Sequence, residues 1–281
     1  MSVSRVSFQV KQFADTETNV IINNPEQILN QDVAIIFKFS RPSIISINDQ
    51  VIRLFQVVRA TKVLQPKSID VKLSYMPYAR DEHEQNSLDM LGTCLHALGV
   101  TTLSAVQLHD PSITQSFQVP LHDVTLEDLW AGVIKEKIIS CDKNSWSIAS
   151  PDTGGTERAE RVAVLCDVPV VTVQKVRTQT GEPVVHGISG DVHDKNIILI
   201  DDILDTGRTA LVASQLLRAH GARALYACFT HAVFSEGAVE HLAQGAFDHI
   251  FVTDTLVGVE ALVSDNVTII PVKEFSDGTS I

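Results

Sequence analysis

Four consecutive apolar residues, Ile197, Ile198, Leu199 and Ile200, run without a polar interruption into the segment DDILDTGRT. A strand with no apolar/polar alternation has both faces covered, which points to a parallel sheet with helices packed on either side. Past the acidic loop, Ala210, Leu211, Leu216, Leu217 and Ala219 supply much of the apolar face of a helix, and Gly221 is placed to end it in the left-handed conformation. The order strand, loop, helix therefore predicts an α/β fold and also fixes where a ligand goes. At the carboxyl end of such a strand, backbone N–H groups and the positive end of the next helix favour an anion.

Thr206, Gly207, Arg208 and Thr209 can wrap a phosphate there. Asp201 and Asp202, directly in front of them, would repel a bare phosphate. Adjacent carboxylates suit the hydroxyls of a sugar instead, directly or through a magnesium ion. A pentose monophosphate such as ribose 5-phosphate has both features.

The 281 residues are enough for two α/β domains, and 44% hydrophobic residues can fill their cores. No apolar run approaches the ~20 residues needed to span a bilayer. The opening MSVSRVSFQV lacks the cationic segment and apolar block of an export signal, so a cytoplasmic protein with no membrane partner is expected. Cys94, Cys141, Cys166 and Cys228 are scattered and fit neither a zinc spacing nor a disulfide framework. A formal net charge of −12 argues against general nucleic-acid binding, which needs a basic surface to replace phosphate counterions.

Along the chain, residues 6–10 alternate as a half-buried strand leading into QFADTE, with further strands expected at 20–22 and 33–37. Asn48 is read as the cap of a helix running to about Leu64. A strand at 71–75 ends in MPYAR, a helix covers 88–98, and a strand at 101–108 delivers His109 at its end. In the second half, a strand beginning at 146–148 is followed by SPDTGG and a helix through Val164, then a strand at 170–173. Residues 174–194 mix Lys175, Arg177, glycines and a proline and read as a loop or hairpin. Strands near 225–229, 250–252 and 267–272 and a helix over 236–242 follow the central motif. The domain boundary is expected near 142–145, giving domains 1–143 and 144–281.

DDILDTGRT resembles the phosphoribosyl-pyrophosphate (PRPP) loop of the type I phosphoribosyltransferase fold. With QFADTE, MPYAR, the leucine-histidine pair of QLHDPS, SPDTGG, Lys175-x-Arg177 and THAVFSEGA in order, nearly the whole chain resembles the ribose-phosphate pyrophosphokinase (PRPP synthetase) family. The resemblance lacks a counterpart of the family's first strand and helix before Ser2 and of its last helix beyond Ile281. It implies two tandem phosphoribosyltransferase-like domains, each a mostly parallel sheet flanked by helices.

The activity it implies is magnesium-dependent transfer of diphosphate from ATP to ribose 5-phosphate, giving PRPP and AMP, in a homo-oligomer, dimer or hexamer. By the same resemblance Lys175, Arg177 and His109 are catalytic, and His109 and Asp152 position magnesium. Phe13, Asp15, Glu17, Arg80 and His109 contact ATP, with Phe13 and Glu17 reaching adenine across a subunit interface. Asp201 and Asp202 hold the ribose hydroxyls, and Asp205, Thr206, Gly207, Arg208 and Thr209 the 5-phosphate. Five positions depart from the family pattern: Asp81, Glu82 and His83 follow Arg80 where a glutamine, an aspartate and a basic residue are usual, Gln107 replaces a frequent acid, and Arg208 stands where a small residue is common. Two alternatives remain open at this point, a phosphoribosyltransferase that consumes PRPP and a catalytically weakened, regulatory synthetase homologue.

Overall fold

The buried run centred on residue 198 lies in the middle of a seven-stranded sheet in the computed structural model, which describes residues 3–80, 86–139, 143–177, 183–244, 247–262, 265–275 and 279–280. Two compact units are present. The first comprises Met1–Thr125, Thr255–Gly258 and Pro271–Ile281, and the second Leu126–Asp254 and Val259–Ile270. The expected boundary near 142–145 falls inside the second unit, and two later segments return to the first.

In the first unit, β1 (Ser4–Arg5), β4 (Asp32–Lys38), β5 (Ser68–Leu73), β6 (Thr102–Val106) and β7 (Leu121–Val124) pair in parallel in that order. A short β15 (Thr279–Ser280) joins β4 further along the same strand. Separate from this sheet, β2 (Phe8–Gln12) and β3 (Thr18–Ile22) form an antiparallel hairpin. Helices α1 (Ile47–Val63) and α2 (Asn86–Ala97) carry the fully buried Leu54, Val57, Val58, Leu91 and Leu95. The rings of Phe37 and Phe39 meet edge to face at 5.0 Å within the core.

The cap of α1 is Ser46 rather than the expected Asn48. The Ser46 hydroxyl accepts from the Asp49 N–H at 3.1 Å and donates to the Asp49 carboxylate at 2.7 Å. Both residue types cap helices well, and the extended backbone at Ser46 (ψ 146°) decides between them. Asn48, one residue inside the helix, instead accepts the Tyr78 hydroxyl at 2.8 Å.

The second unit begins with α3 (Glu127–Val133), which continues into a wide π turn over Ile134–Ile138. Its sheet contains β8 (Trp146–Ser150), β9 (Val170–Arg177), β10 (Pro183–Ser189), β11 (Asn196–Leu204), β12 (Ala224–Ala232), β13 (His249–Thr253) and β14 (Val267–Ile270). The strands lie in the order β10-β9-β8-β11-β12-β13-β14, parallel except for β10. Helices α4 (Thr156–Cys166), α5 (Arg208–Ala219) and α6 (Ala238–Gln244) complete the unit. Ile197, Ile198, Leu199 and Ile200 are fully buried, as an unbroken run requires.

Gly221 has φ +90°, and the Ala222 N–H donates to the Leu217 carbonyl at 3.1 Å, so α5 stops as the sequence predicts. The mixed segment after residue 174 is a hairpin of β9 and β10, whose tip at 178–182 lies outside the described residues. β11 runs four residues past the apolar stretch, so Asp201 and Asp202 stand on the strand itself and not in the loop after it. β7 and α3 were not anticipated, since LHDV is short and half polar. Cys166 and Cys228 are buried free thiols and Cys94 is half-buried, while Cys141 lies outside the described residues. Among the described residues no helix is long and apolar enough to cross a membrane.

Candidate functional site

At the carboxyl ends of β8 and β11 the sheet opens. β11 pairs with β8 only as far as Leu199↔Ala149, whereas its pairing with β12 continues to Leu204↔Ala232. The chain proceeds from β8 to β9 on one side, while β11 to β14 extend on the other. Such a reversal of strand order leaves a crevice beyond the strand ends, the position where open α/β sheets take ligands. The turn after β8 and the acids and loop of β11 both belong to it.

The turn after β8 is braced from within. Ser150 Oγ donates to the Asp152 carbonyl at 2.6 Å, and the Gly155 N–H donates to Asp152 Oδ1 at 3.1 Å. A Cβ on Gly155 would come within 2.8 Å of Ser150 Oγ, so the close turn requires glycine there. Asp152 is held half-buried at the start of α4.

Asp201 and Asp202 follow in space. The Asp202 N–H donates to Asp201 Oδ1 at 2.9 Å, and the two side chains are 15% and 3% exposed. Burial pushes the Asp201 carboxyl well above the usual carboxylate range; repulsion from Asp202 and Asp152 adds to the rise, and Arg158 opposes it. The cation that compensates this pair, Arg158 on α4, is one that sequence reasoning passed over. Its Nη1 lies 3.1 Å from Asp202 Oδ1 and 3.8 Å from Asp201 Oδ1, and its side chain is 8% exposed. One signal could have found it. Arg158 stands four and eight residues before the buried Val162 and Cys166, in register with the apolar stripe of α4.

Beyond the acids, Asp205 is half-buried and Thr206, Arg208 and Thr209 are exposed. Gly207 has φ +74°, and a Cβ there would meet the Ala238 carbonyl at 3.4 Å. Gly207 at the cap of α5 offers no side-chain acceptor, and the Arg208 N–H of the first turn donates to Thr206 Oγ1 at a long 3.5 Å. From α6, His241 Nδ1 reaches the Thr206 carbonyl at 2.7 Å. The arrangement suits an anion with hydroxyls beside it.

Lys175 and Arg177 lie on β9, in register with Val185 and Pro183 of β10. The remaining expected residues belong to the first unit. His109 is half-buried just past β6, where Gln107 has φ +44° and the Leu108 N–H donates to Asp123 Oδ1 at 2.9 Å. Phe13 is 46% exposed on the β2–β3 loop, with Lys11 Nζ 5.1 Å from its ring centroid. Asp15 Oδ1 accepts from the Glu17 N–H at 3.2 Å, and the Phe13 N–H donates to the Glu17 carbonyl at 2.8 Å. Arg80 is exposed after the buried Met76 and Ala79, whereas Asp81, Glu82 and His83 lie outside the described residues.

Among the described residues no group of three or more His, Cys, Asp and Glu side chains could hold a metal ion by itself. Magnesium asks for less, because it commonly takes one or two carboxylates and fills its other positions with water and substrate phosphates. The crowding of Asp152 and Asp202 around Asp201 is a negative environment that a divalent cation would relieve, so this donor set fits the ion.

Residues 1–103 match the family model for the N-terminal domain of ribose phosphate pyrophosphokinase, and residues 124–259 match the phosphoribosyl transferase domain. The ribose-phosphate pyrophosphokinase of Campylobacter jejuni is 34% identical over 252 residues, covering 88% of this chain and 78% of that protein. That of Gloeobacter violaceus is also 34% identical over 252 residues, covering 88% of this chain and 73% of its own length. The crystal structure of phosphoribosylpyrophosphate synthetase from Mycobacterium smegmatis aligns with a TM-score of 0.82 at 26% identity, over 96% of this chain and 87% of that one. Both units have the phosphoribosyltransferase-like α/β fold.

Proposed function

The chain belongs to the ribose-phosphate pyrophosphokinase family, and from that premise we propose how its own residues bind ATP and ribose 5-phosphate and join them into PRPP and AMP. It is an enzyme, a ribose-phosphate diphosphokinase. The 1-hydroxyl oxygen of ribose 5-phosphate attacks the β-phosphorus of ATP in line. A bond forms from that oxygen to phosphorus, the bond to the α,β-bridging oxygen breaks, AMP leaves with that oxygen, and the hydroxyl proton passes to solvent.

Asp201 and Asp202 take the ribose hydroxyls, while the N–H groups and side chains of Asp205, Thr206, Gly207, Arg208 and Thr209 surround the 5-phosphate. What supports this reading is the crevice between β8 and β11, where an acid pair directly precedes an uncapped helix start. Lys175 and Arg177 place positive charge on the diphosphoryl group, which changes oxygen partners with little covalent work for a protein to do. Phe13, Asp15 and Glu17 meet adenine across an interface between subunits of a dimer or hexamer, and Arg80 meets the phosphates. Magnesium would supply neutralisation of the polyphosphate charge, and His109 and Asp152 are each proposed to contribute to its binding. A cytoplasmic location is part of the same proposal.

The alternative of a PRPP-consuming transferase accounts for the second unit alone and leaves the matched N-terminal domain unexplained. A weakened regulatory homologue is not favoured by the relatives from Campylobacter jejuni, Mycoplasmopsis pulmonis and Gloeobacter violaceus, each named ribose-phosphate pyrophosphokinase. Incubation of the purified chain with ATP, magnesium and ribose 5-phosphate should yield AMP and PRPP in equal amounts. Absence of both products would overturn the assignment.

A further inference from the structure

We infer that Arg158 is a positioning residue for ribose 5-phosphate, holding the Asp201–Asp202 pair from its buried side so that the sugar meets two ordered carboxylates. This rests on the reading that the pair binds the ribose hydroxyls. Arg158 comes from α4, whose start is set by the Asp152 turn, so a single helix carries both that turn and the counter-ion of the acids.

Both contacts of Arg158 go to Oδ1 atoms, 3.1 Å at Asp202 and 3.8 Å at Asp201. Oδ1 of Asp201 also accepts the Asp202 N–H at 2.9 Å, which leaves the other oxygen of Asp201 out of these contacts. Asp201 is the more open of the two, at 15% side-chain exposure against 3% for Asp202. The guanidinium thus lies closer to the inner acid, while the outer acid of the pair is the more open.

Stability gives a poor reason for the arrangement. Burying a cation among acids carries a desolvation cost that often exceeds the attraction gained, and apolar side chains of the same volume commonly serve the fold as well or better. Arg158 adds to that cost, because its buried Nε finds no hydrogen-bond acceptor among the described residues. Two adjacent carboxylates waiting for a phosphorylated sugar do require a cation that cannot drift. A guanidinium fixed by packing on a helix supplies one without occupying the crevice.

The test uses the full chain and compares wild type with Arg158→Met, Arg158→Lys and the double variant Arg158→Met/Asp202→Asn. Steady-state KM values for ribose 5-phosphate and for ATP are measured separately, alongside thermal midpoints. Arg158→Met is expected to raise KM for ribose 5-phosphate by about tenfold while KM for ATP stays within about twofold. Arg158→Lys, which can meet one carboxylate but not both, falls between. The double variant removes the buried charge mismatch and recovers the thermal midpoint, yet it keeps the raised KM for ribose 5-phosphate. If Arg158→Met does not fold, Arg158→Lys decides by the same selective rise.

An unchanged KM for ribose 5-phosphate in folded variants overturns the inference, as does an equal rise in both KM values. Full recovery of KM in the double variant would also overturn it, because Arg158 would then serve only to neutralise Asp202. Failure of the underlying reading looks different: the wild type itself would make no AMP or PRPP.

Discussion

The Nδ1 atom of His241 donates a 2.7 Å hydrogen bond to the carbonyl oxygen of Thr206. A carbonyl can only accept, so Nδ1 carries a proton whether the ring is neutral or charged. The contact ties α6 to the loop on which the 5-phosphate is proposed to sit. His241→Ala should raise KM for ribose 5-phosphate by roughly threefold or more with only a modest change in thermal midpoint, since a half-buried surface side chain contributes little to the core. His241→Asn, whose amide can donate in the same direction, should restore much of the loss. An unchanged KM in His241→Ala would leave this contact with no part in phosphate binding.

Asp201 offers a test in the opposite sense. Burial, helped by Asp202 and Asp152 against Arg158, holds its carboxyl above the ordinary range. An acid whose pKa is higher in the folded chain than in the unfolded one binds its proton longer when folded. The stability associated with that proton is fully present below the unfolded value of about 3.9 and is lost as pH rises from there through the folded pKa. Asp201→Asn, which never ionises, should therefore be more stable than wild type near neutral pH without ligands, and the advantage should vanish toward pH ~3. Each kcal/mol recovered corresponds to about 2–4 °C in thermal midpoint for a domain of this size. Activity should fall in the same variant. A midpoint below that of wild type at neutral pH would show that the ionised carboxylate stabilises the fold.

Particular residues show what could be read in advance. The strand over the isoleucines, the stop at Gly221 and the hairpin after Gln174 follow from an unbroken apolar run, a left-handed glycine and weak periodicity, all local signals. The extension of β11 through Asp201 and Asp202 was hidden, because pairing to β12 continues where apolarity ends. Ser46 and Asn48 are equivalent as letters, and only the backbone angle separates them. Arg158 was hardest to see, because α4 also holds Arg161, an ordinary half-exposed partner of Glu127 and Glu157. What distinguishes Arg158 is two acids that come from a strand 43 and 44 residues further along the chain.

Lys175 tests the catalytic reading. It lies on β9 of the β9–β10 hairpin, paired with Val185. Lys175→Ala should lower kcat by about 10²-fold, the usual effect of deleting one group that stabilises transition-state charge. The thermal midpoint and KM for ribose 5-phosphate should hardly move. Parallel losses of stability and turnover would assign the residue to the fold instead.

Thr16 carries a strain whose relief can be measured away from the acids. Its φ is +73° in the β2–β3 loop, between Phe13 and Glu17, where its N–H donates to the Phe13 carbonyl at 3.0 Å. For a β-branched residue the left-handed region is unusual, and an L side chain pays roughly 1–2 kcal/mol to occupy it. Glycine removes that cost but gives the unfolded chain more freedom, worth about 0.4–1 kcal/mol in the other direction. The side chain is exposed, so no packing is lost to tip the balance. Thr16→Gly should therefore raise stability by about 0.5–1 kcal/mol, read as a higher urea midpoint with an unchanged slope. Thr16→Asn, which tolerates the same angle better than threonine, should gain a smaller amount. Because neither variant alters Phe13, Asp15 or Glu17 or the backbone path between them, KM for ATP should stay at its wild-type value. A lower midpoint for Thr16→Gly would mean that threonine holds this loop at little strain, with glycine's entropy the larger effect.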